Sequence, residues 1–379
     1  MKIVFDLTDL YDHLTGIERY AMELSYHMIT RHRDNTYVLI FKERVHKRFA
    51  EIVKRPNVRA VVIKKCNKLL FRQVVLPAKL SSIRAGAYIF PAFPEPWISG
   101  PGNVITAVHD MACWDCGENM KALSAWYFRL SNIHTFFCAK NILTVSNFSK
   151  KRIETFVSQR SILKNRGIED RILLVPDGFD GKQLINAGAG VKVKEKYNLP
   201  DRYILTLSTL EPRKNLALLL KAYGQLVMEG NDIPDLCLAG RSGWKIEKIL
   251  SAKADFGREV LDKIHFIGFI EDNDLPYLYK GADYFVFPSK YEGFGLPPLE
   301  ALGYGCKVLS SDASAMREIL RKSVWYFKNN DIENLKSKMI ELCNVSHEET
   351  VLKKKYAKAV LARYTWENAA DRLYNYLCR

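Results

Sequence analysis

The chain has 379 residues, is 48% hydrophobic and 12% aromatic, and carries a net charge of +15. That length exceeds what one hydrophobic core usually serves, so two domains with a ligand cleft between them are expected, and the apolar content excludes a disordered chain. No run approaches the roughly 20 apolar residues of a membrane-spanning helix, and Met1-Lys2-Ile3-Val4-Phe5-Asp6 meets an acid too early for a signal peptide, so a cytoplasmic location is expected.

In chain order, short runs rich in Val, Ile and Phe recur at Ile3–Phe5, Tyr37–Phe41, Ala87–Phe90, Val104–Val108 and Asn141–Val145. Stretches of helical period such as Tyr20–Arg31 separate them, a pattern that predicts a parallel sheet with helices on both faces. Residues 181–200, with Gly181, Gly188 and Gly190 and weak apolar periodicity, read as a linker. A second series follows at Tyr203–Leu207, Leu236–Ala239, Ile264–Ile267, Tyr284–Phe287 and Lys307–Leu309. In Val351–Arg379, Tyr356, Val360, Tyr364, Trp366, Leu373, Tyr374 and Leu377 recur at three- and four-residue steps, so a helix packed on the body is predicted. The expected organisation is an α/β protein of two doubly wound domains, 1–180 and 201–355, with residues 356–379 as a final helix.

The charge is uneven. Residues 1–175 hold 27 Lys and Arg against 15 Asp and Glu, and the rest hold 30 against 27. The excess concentrates between Lys42 and Arg72, and three readings of it stand open: contact with nucleic acid, contact with an anionic membrane, or a solvated basic face. Lys64–Arg72 mixes cations with apolar residues, as a helix lying on a membrane would, or as a helix packing Leu69, Phe71, Val74 and Leu76 into the core would. The eight cysteines are scattered, and the close pair Cys113 and Cys116 lacks the second pair of a zinc site, so reduced thiols are expected.

In open parallel sheets, ligands bind beyond the carboxyl ends of the strands, which directs attention to four loops. Gly16 precedes a predicted helix and can bring backbone N–H groups to a phosphate, or serve as a plain turn. His109, after Val104–Val108, can donate a hydrogen bond to a sugar hydroxyl or be structural. Arg213 and Lys214 lie in Glu211-Pro212-Arg213-Lys214-Asn215 directly after a strand, where a fixed positive pair suits a diphosphate. In Glu292-Gly293-Phe294-Gly295-Leu296-Pro297-Pro298-Leu299-Glu300, two glycines permit close backbone approach, and Glu292 and Glu300 stand where hydroxyl-rich ligands would be bound.

These last two motifs together closely resemble the retaining glycosyltransferases of the GT-B fold, family 4 (group 1). The likeness extends to Gly16, Val108-His109-Asp110, Thr144-Val145-Ser146-Asn147-Phe148-Ser149, Val175-Pro176-Asp177-Gly178 and Leu238-Ala239-Gly240, so it spans most of the chain. It implies two Rossmann-like domains facing a central cleft, with the C-terminal helix crossing back to the N-terminal domain. It further implies Arg213 and Lys214 on the donor diphosphate, joined by the Gly16 N–H, and Glu292 on the sugar hydroxyls. Glu300 would hold the ribose, His109 would touch the sugar near the reacting carbon, and Gly240 and the backbone of Phe294, Gly295 and Leu296 would line the donor site. Phe269 and Ile270 would flank the base. The family usually has Asn where this chain has Asp177.

The expected activity is therefore transfer of a hexose from a nucleotide-sugar to a saccharide or lipid-linked saccharide acceptor in surface-polysaccharide synthesis. GDP-mannose is preferred over UDP-sugars as donor, because the Glu211–Asn215 loop is similar to that of polysaccharide mannosyltransferases. A front-face route with no metal and no other cofactor is expected, with Glu292 as a covalent nucleophile the alternative. The membrane reading of the basic region would add a peripheral contact at the inner membrane face. Rival readings are a nucleotide-sugar epimerase of similar architecture and a basic nucleic-acid-binding protein; the first is opposed by the Glu292–Glu300 motif and the second by the lack of interleaved aromatics.

Overall fold

A computed structural model describes residues 1–11, 14–64, 66–67, 70–97, 103–181, 187–244, 247–251 and 256–378. The chain forms two compact units, one of Met1–Asp115, Ala122–Gly178 and Tyr364–Arg379, the other of Cys116–Lys121 and Phe179–Arg363.

The first unit is built on a parallel sheet of β1 (Lys2–Asp6), β2 (Thr36–Lys42), β3 (Val58–Ile63), β4 (Ala87–Phe90), β5 (Val104–Ala107), β6 (Asn141–Thr144) and β7 (Ile172–Leu174). Its spatial order is β3-β2-β1-β4-β5-β6-β7. Val4 stands opposite Val38 and Tyr88, so β1 is flanked by apolar neighbours on both sides. Helices cover both faces, and the runs are accordingly apolar throughout instead of alternating. Strands β3 and β7 escape a reading by composition, because one lies inside the basic stretch and the other is three residues long.

The second unit repeats the plan with β8 (Tyr203–Leu207), β9 (Asp235–Ala239), β10 (Ile264–Gly268), β11 (Tyr284–Phe287), β12 (Val308–Ser311) and β13 (Trp325–Phe327), in the order β10-β9-β8-β11-β12-β13. Leu219, Leu220, Tyr223 and Leu226 on the helix Leu216–Met228 pack with Leu236 and Val286 of the sheet.

Several segments differ from the sequence expectation. Residues 182–186 lie outside the described residues, but Ala187–Lys196 of the expected linker is helical and contacts the helix Leu275–Gly281 of the second unit. The C-terminal stretch is two helices, His347–Arg363 and Trp366–Leu377, broken where the Thr365 hydroxyl caps the second. Only the second of these belongs to the first unit, where it packs on Gly16–Arg31. There Arg31 makes a two-point pair with Asp371 at 2.9 and 2.7 Å, and the His32 and Tyr374 rings stack at 3.8 Å.

In the basic stretch, Lys65, Lys68 and Leu69 lie outside the described residues. Beyond them Phe71 and Leu76 enter the core while Leu70 and Val74 are exposed. Arg72, counted with the surface cations by its sequence neighbours, is instead buried among carboxylates. No helix among the described residues is long and apolar enough to cross a membrane.

Candidate active site

Strand order in the second sheet reverses at β8, where β9 lies on one side and β11 on the other. Connections leaving β8 and β11 run to opposite faces, which opens a crevice at their carboxyl ends. The loop after β8 carries Arg213 and Lys214, and the loop after β11 carries Glu292. They are joined by a backbone bond from Lys290 N–H to the Arg213 carbonyl at 2.9 Å.

Lys214 Nζ donates to Glu292 Oε1 at 2.6 Å, and Arg213 Nη1 donates to Glu292 Oε2 at 3.3 Å and to the Tyr291 carbonyl at 3.0 Å. Arg213 Nε also donates to Glu211 Oε1 at 3.1 Å, so the guanidinium is oriented by two carboxylates. Glu211 and Glu292 are both buried. Burial works against ionisation of Glu292, but Lys214 and Arg213 outweigh it and hold this carboxyl below the usual carboxylate range. The Glu292 N–H donates to Ser314 Oγ at 3.1 Å. Asn215, left-handed at φ 57°, ends the cationic turn and starts the helix Leu216–Met228.

Gly295 sits at φ 95°, and a Cβ there would come within 2.6 Å of Met316 Cε. This turn starts the helix Leu296–Gly303, with Pro297 and Pro298 in its first turn. Phe294 and Leu296 are buried, so a ligand at this turn meets backbone. Glu300, one turn on, receives the Tyr279 hydroxyl at 3.1 Å, and the Tyr279 ring stacks on Tyr304.

Gly240 has φ 130° and donates its N–H to the Gly268 carbonyl at 2.7 Å; a Cβ would overlap the Ser208 carbonyl oxygen. Of the residues expected beside a base, Phe269 presents its ring, with the Arg241 guanidinium 4.5 Å from the ring centre, whereas Ile270 is buried.

In the first unit, Gly16 is exposed at the start of its helix, and the Thr15 N–H preceding it is taken by Glu18 Oε2 at 2.6 Å. His109 follows β5. Its Nε2 donates to the Pro91 carbonyl at 2.9 Å, which leaves Nδ1 as the acceptor of the neutral ring. Burial pushes this imidazole below its ordinary value against the opposing effect of the Pro91 bond, and Tyr20 packs edge-on at 4.9 Å. Asp177 is buried with Oδ1 unpartnered, and burial pushes its carboxyl well above the usual range.

Tyr279, Ser314 and Arg241 are absent from the sequence-based set. Tyr279 meets Glu300 across 21 positions and Ser314 meets Glu292 across 22, so no local motif joins them. Among the described residues, no three His, Cys, Asp or Glu side chains are grouped to hold a metal ion.

Residues 191–359 match the family model described as glycosyl transferases group 1. The chain is 28% identical over 99% of both sequences to an O-antigen chain mannosyltransferase B of Escherichia coli. It is also 35% identical to the serotype-specific mannosyltransferase WbdA of Escherichia coli, across 47% of this chain and 22% of that one. In structure it is similar to Anabaena HepE, solved with UDP-glucose, with a TM-score of 0.72 at 15% identity over 100% of this chain and 99% of that one. The architecture is thus GT-B.

Proposed function

We propose that this chain, a mannosyltransferase-like group 1 glycosyltransferase of GT-B fold, moves mannose from a nucleotide-sugar to a saccharide or lipid-linked saccharide in surface-polysaccharide synthesis, keeping the donor's anomeric configuration. The observation that carries it is the convergence of Arg213 and Lys214 on buried Glu292, at 3.3 and 2.6 Å, in the crevice where strand order reverses. Two fixed cations beside a carboxylate suit a diphosphate joined to a sugar: the cations take phosphate oxygens and the carboxylate takes hydroxyl hydrogens. Mannose follows from the similarity to the O-antigen mannosyltransferase over the full chain. GDP-mannose is proposed ahead of UDP-sugars; the likeness to HepE is one of fold and carries no donor assignment.

In this reading Glu300, steadied by Tyr279, binds the ribose, the backbone at Phe294, Gly295 and Leu296 meets sugar and phosphate, and the exposed face of Phe269 covers the base beside Ile270. Close packing at Gly240 keeps the diphosphate loop in place. The C1–O bond to the diphosphate breaks, the acceptor oxygen bonds to C1 on the same face, and its proton passes to a leaving phosphate oxygen. Arg213 and Lys214 stabilise the charge that develops on that phosphate, and each is worth about 3 kcal/mol of barrier by the measure of other preorganised donors. They make a divalent cation unnecessary.

The test is a thermal-shift screen against GDP, UDP, dTDP, ADP and their common sugars, on the wild type and on Glu300→Ala. A ligand that binds the native state raises its midpoint, so one nucleotide should stand out and lose its effect in the variant. A flat screen, or an effect the variant leaves intact, overturns the assignment.

A further inference from the structure

The chain passes from the first unit to the second between Gly178 and Phe179. The Phe179 ring lies against Gly303, the last residue of the helix that carries Glu300, and a Cβ at Gly303 would overlap Phe179 Cε1. From the other side of Phe179 in sequence, a Cβ at Gly181 would come within 2.9 Å of the same atom. Glycine at 303 lets the ring reach the backbone of that helix, where a side chain would push it away.

From Phe179 a continuous set of ring contacts runs to the carboxylate proposed for the ribose, all of it within the second unit. Phe179 and Tyr304 meet edge to face with ring centres 5.3 Å apart at 87°, and Tyr304 stacks on Tyr279 at 5.9 Å and 14°. Tyr279 is fully buried, lies edge-on to Phe285 of β11 at 5.4 Å, and donates its hydroxyl to Glu300 Oε2 at 3.1 Å. The Tyr304 N–H also donates to the Glu300 carbonyl at 3.0 Å, so the middle ring is tied to the same helix through its backbone. Aromatic pairs favour offset-stacked and edge-to-face geometries, which fix the tilt of each ring against the next. The Tyr279 hydroxyl is at the far end of its ring, so a change of tilt carries it away from Glu300. A binding group keeps its geometry only where the side chains behind it are locked by packing.

We infer that Phe179 is a positioning residue for the nucleotide: through Tyr304 and Tyr279 it holds the Glu300 carboxylate in the orientation that accepts the ribose hydroxyl hydrogens. Its effect needs no contact with the nucleotide, because each ring hands its orientation to the next. The grip on the ribose is thereby set at the residue where the chain enters the second unit. The inference rests on the proposed role of Glu300 and names the residues that keep it in place.

The experiment is titration calorimetry of the full chain with GDP and with 2′,3′-dideoxy-GDP, which lacks the hydroxyls assigned to Glu300, and with the same pair of uridine nucleotides. For the ribose form, Phe179→Ala and Tyr279→Phe should each raise Kd about tenfold, and the double variant should be no weaker than Tyr279→Phe alone, since both changes act on one path. For the dideoxy form, all three variants should match the wild type within about twofold. Phe179→Leu, which keeps most of the apolar volume without the flat edge, should raise Kd for the ribose form about threefold, and it decides the matter if Phe179→Ala does not fold. A ribose-form Kd unchanged in the folded Phe179 variants overturns the inference. So does an equal loss for ribose and dideoxy forms, which would make Phe179 a support of the fold in general, and so do losses that add in the double variant. A wild type that binds neither GDP nor UDP removes the proposed function itself and this inference with it, whereas a wild type that binds the ribose form no better than the dideoxy form removes only the role of Glu300 and the path to it.

Discussion

The two cations proposed for the diphosphate both pair with Glu292, at 3.3 and 2.6 Å. A phosphate oxygen that takes Lys214 Nζ from its far side at about 2.8 Å, with Glu292 Oε1 at 2.6 Å on the near side, leaves two anions roughly 5–6 Å apart. At an effective dielectric of about 20, unit charges at that separation repel by roughly 3 kcal/mol. Solvent reaching these part-exposed cations screens about half of this, so Glu292→Gln should tighten binding of the free nucleoside diphosphate about tenfold, or ~1.4 kcal/mol. The same change removes the proposed partner of the sugar hydroxyls, so transfer should slow while product affinity rises. Titration calorimetry with GDP and UDP at low and moderate salt reads the first effect, and initial rates of transfer read the second. Nucleotide affinity that is unchanged or weaker in Glu292→Gln would refute the idea that this carboxylate and a diphosphate compete for one pair of cations.

Gly240→Ala forces a side chain into the Ser208 carbonyl at φ 130°. It should destabilise the second unit by about 3 kcal/mol or more, visible as a lowered melting midpoint, and a midpoint within a degree of wild type would count against the close packing. Asp177 has a folded pKa raised by burial above its ordinary 3.8, so its stabilising neutral form is lost as pH rises from that value toward the folded one. Asp177→Asn should therefore raise the midpoint at pH 7 and converge with wild type as pH falls toward 4. Glu292 has the opposite sign: held below its ordinary 4.5, it contributes stability present above that value and lost as pH falls through the folded pKa. Lys214→Met should flatten this acid limb and lower the midpoint at pH 7, since it leaves the buried carboxylate with one cation instead of two. Full transfer activity in EDTA is expected from the paired cations, and its loss would restore a metal to the reaction.

The sequence by itself determined much of this protein. Strands buried on both faces must be apolar throughout, so ten of the thirteen could be located as Val, Ile and Phe runs. Loops that follow such strands are where an open parallel sheet binds ligands, and the chain order alone puts the Glu211–Asn215 and Glu292–Glu300 motifs there. Tertiary structure alone decided which charges meet. Lys214 and Glu292 stand 78 positions apart and touch because β8 and β11 are neighbours where strand order reverses. Tyr279 reaches Glu300 for a similar reason, and His109 became an acceptor only because the Pro91 carbonyl took its other nitrogen. Arg72 shows the difference most clearly: in the sequence it ends a basic stretch, and in the fold it is buried between Asp6, Asp9 and Pro94. A residue's charge is written in the chain, but its solvent and its counter-charge are supplied by segments distant in sequence, and these decide whether it coats a surface or fixes a site.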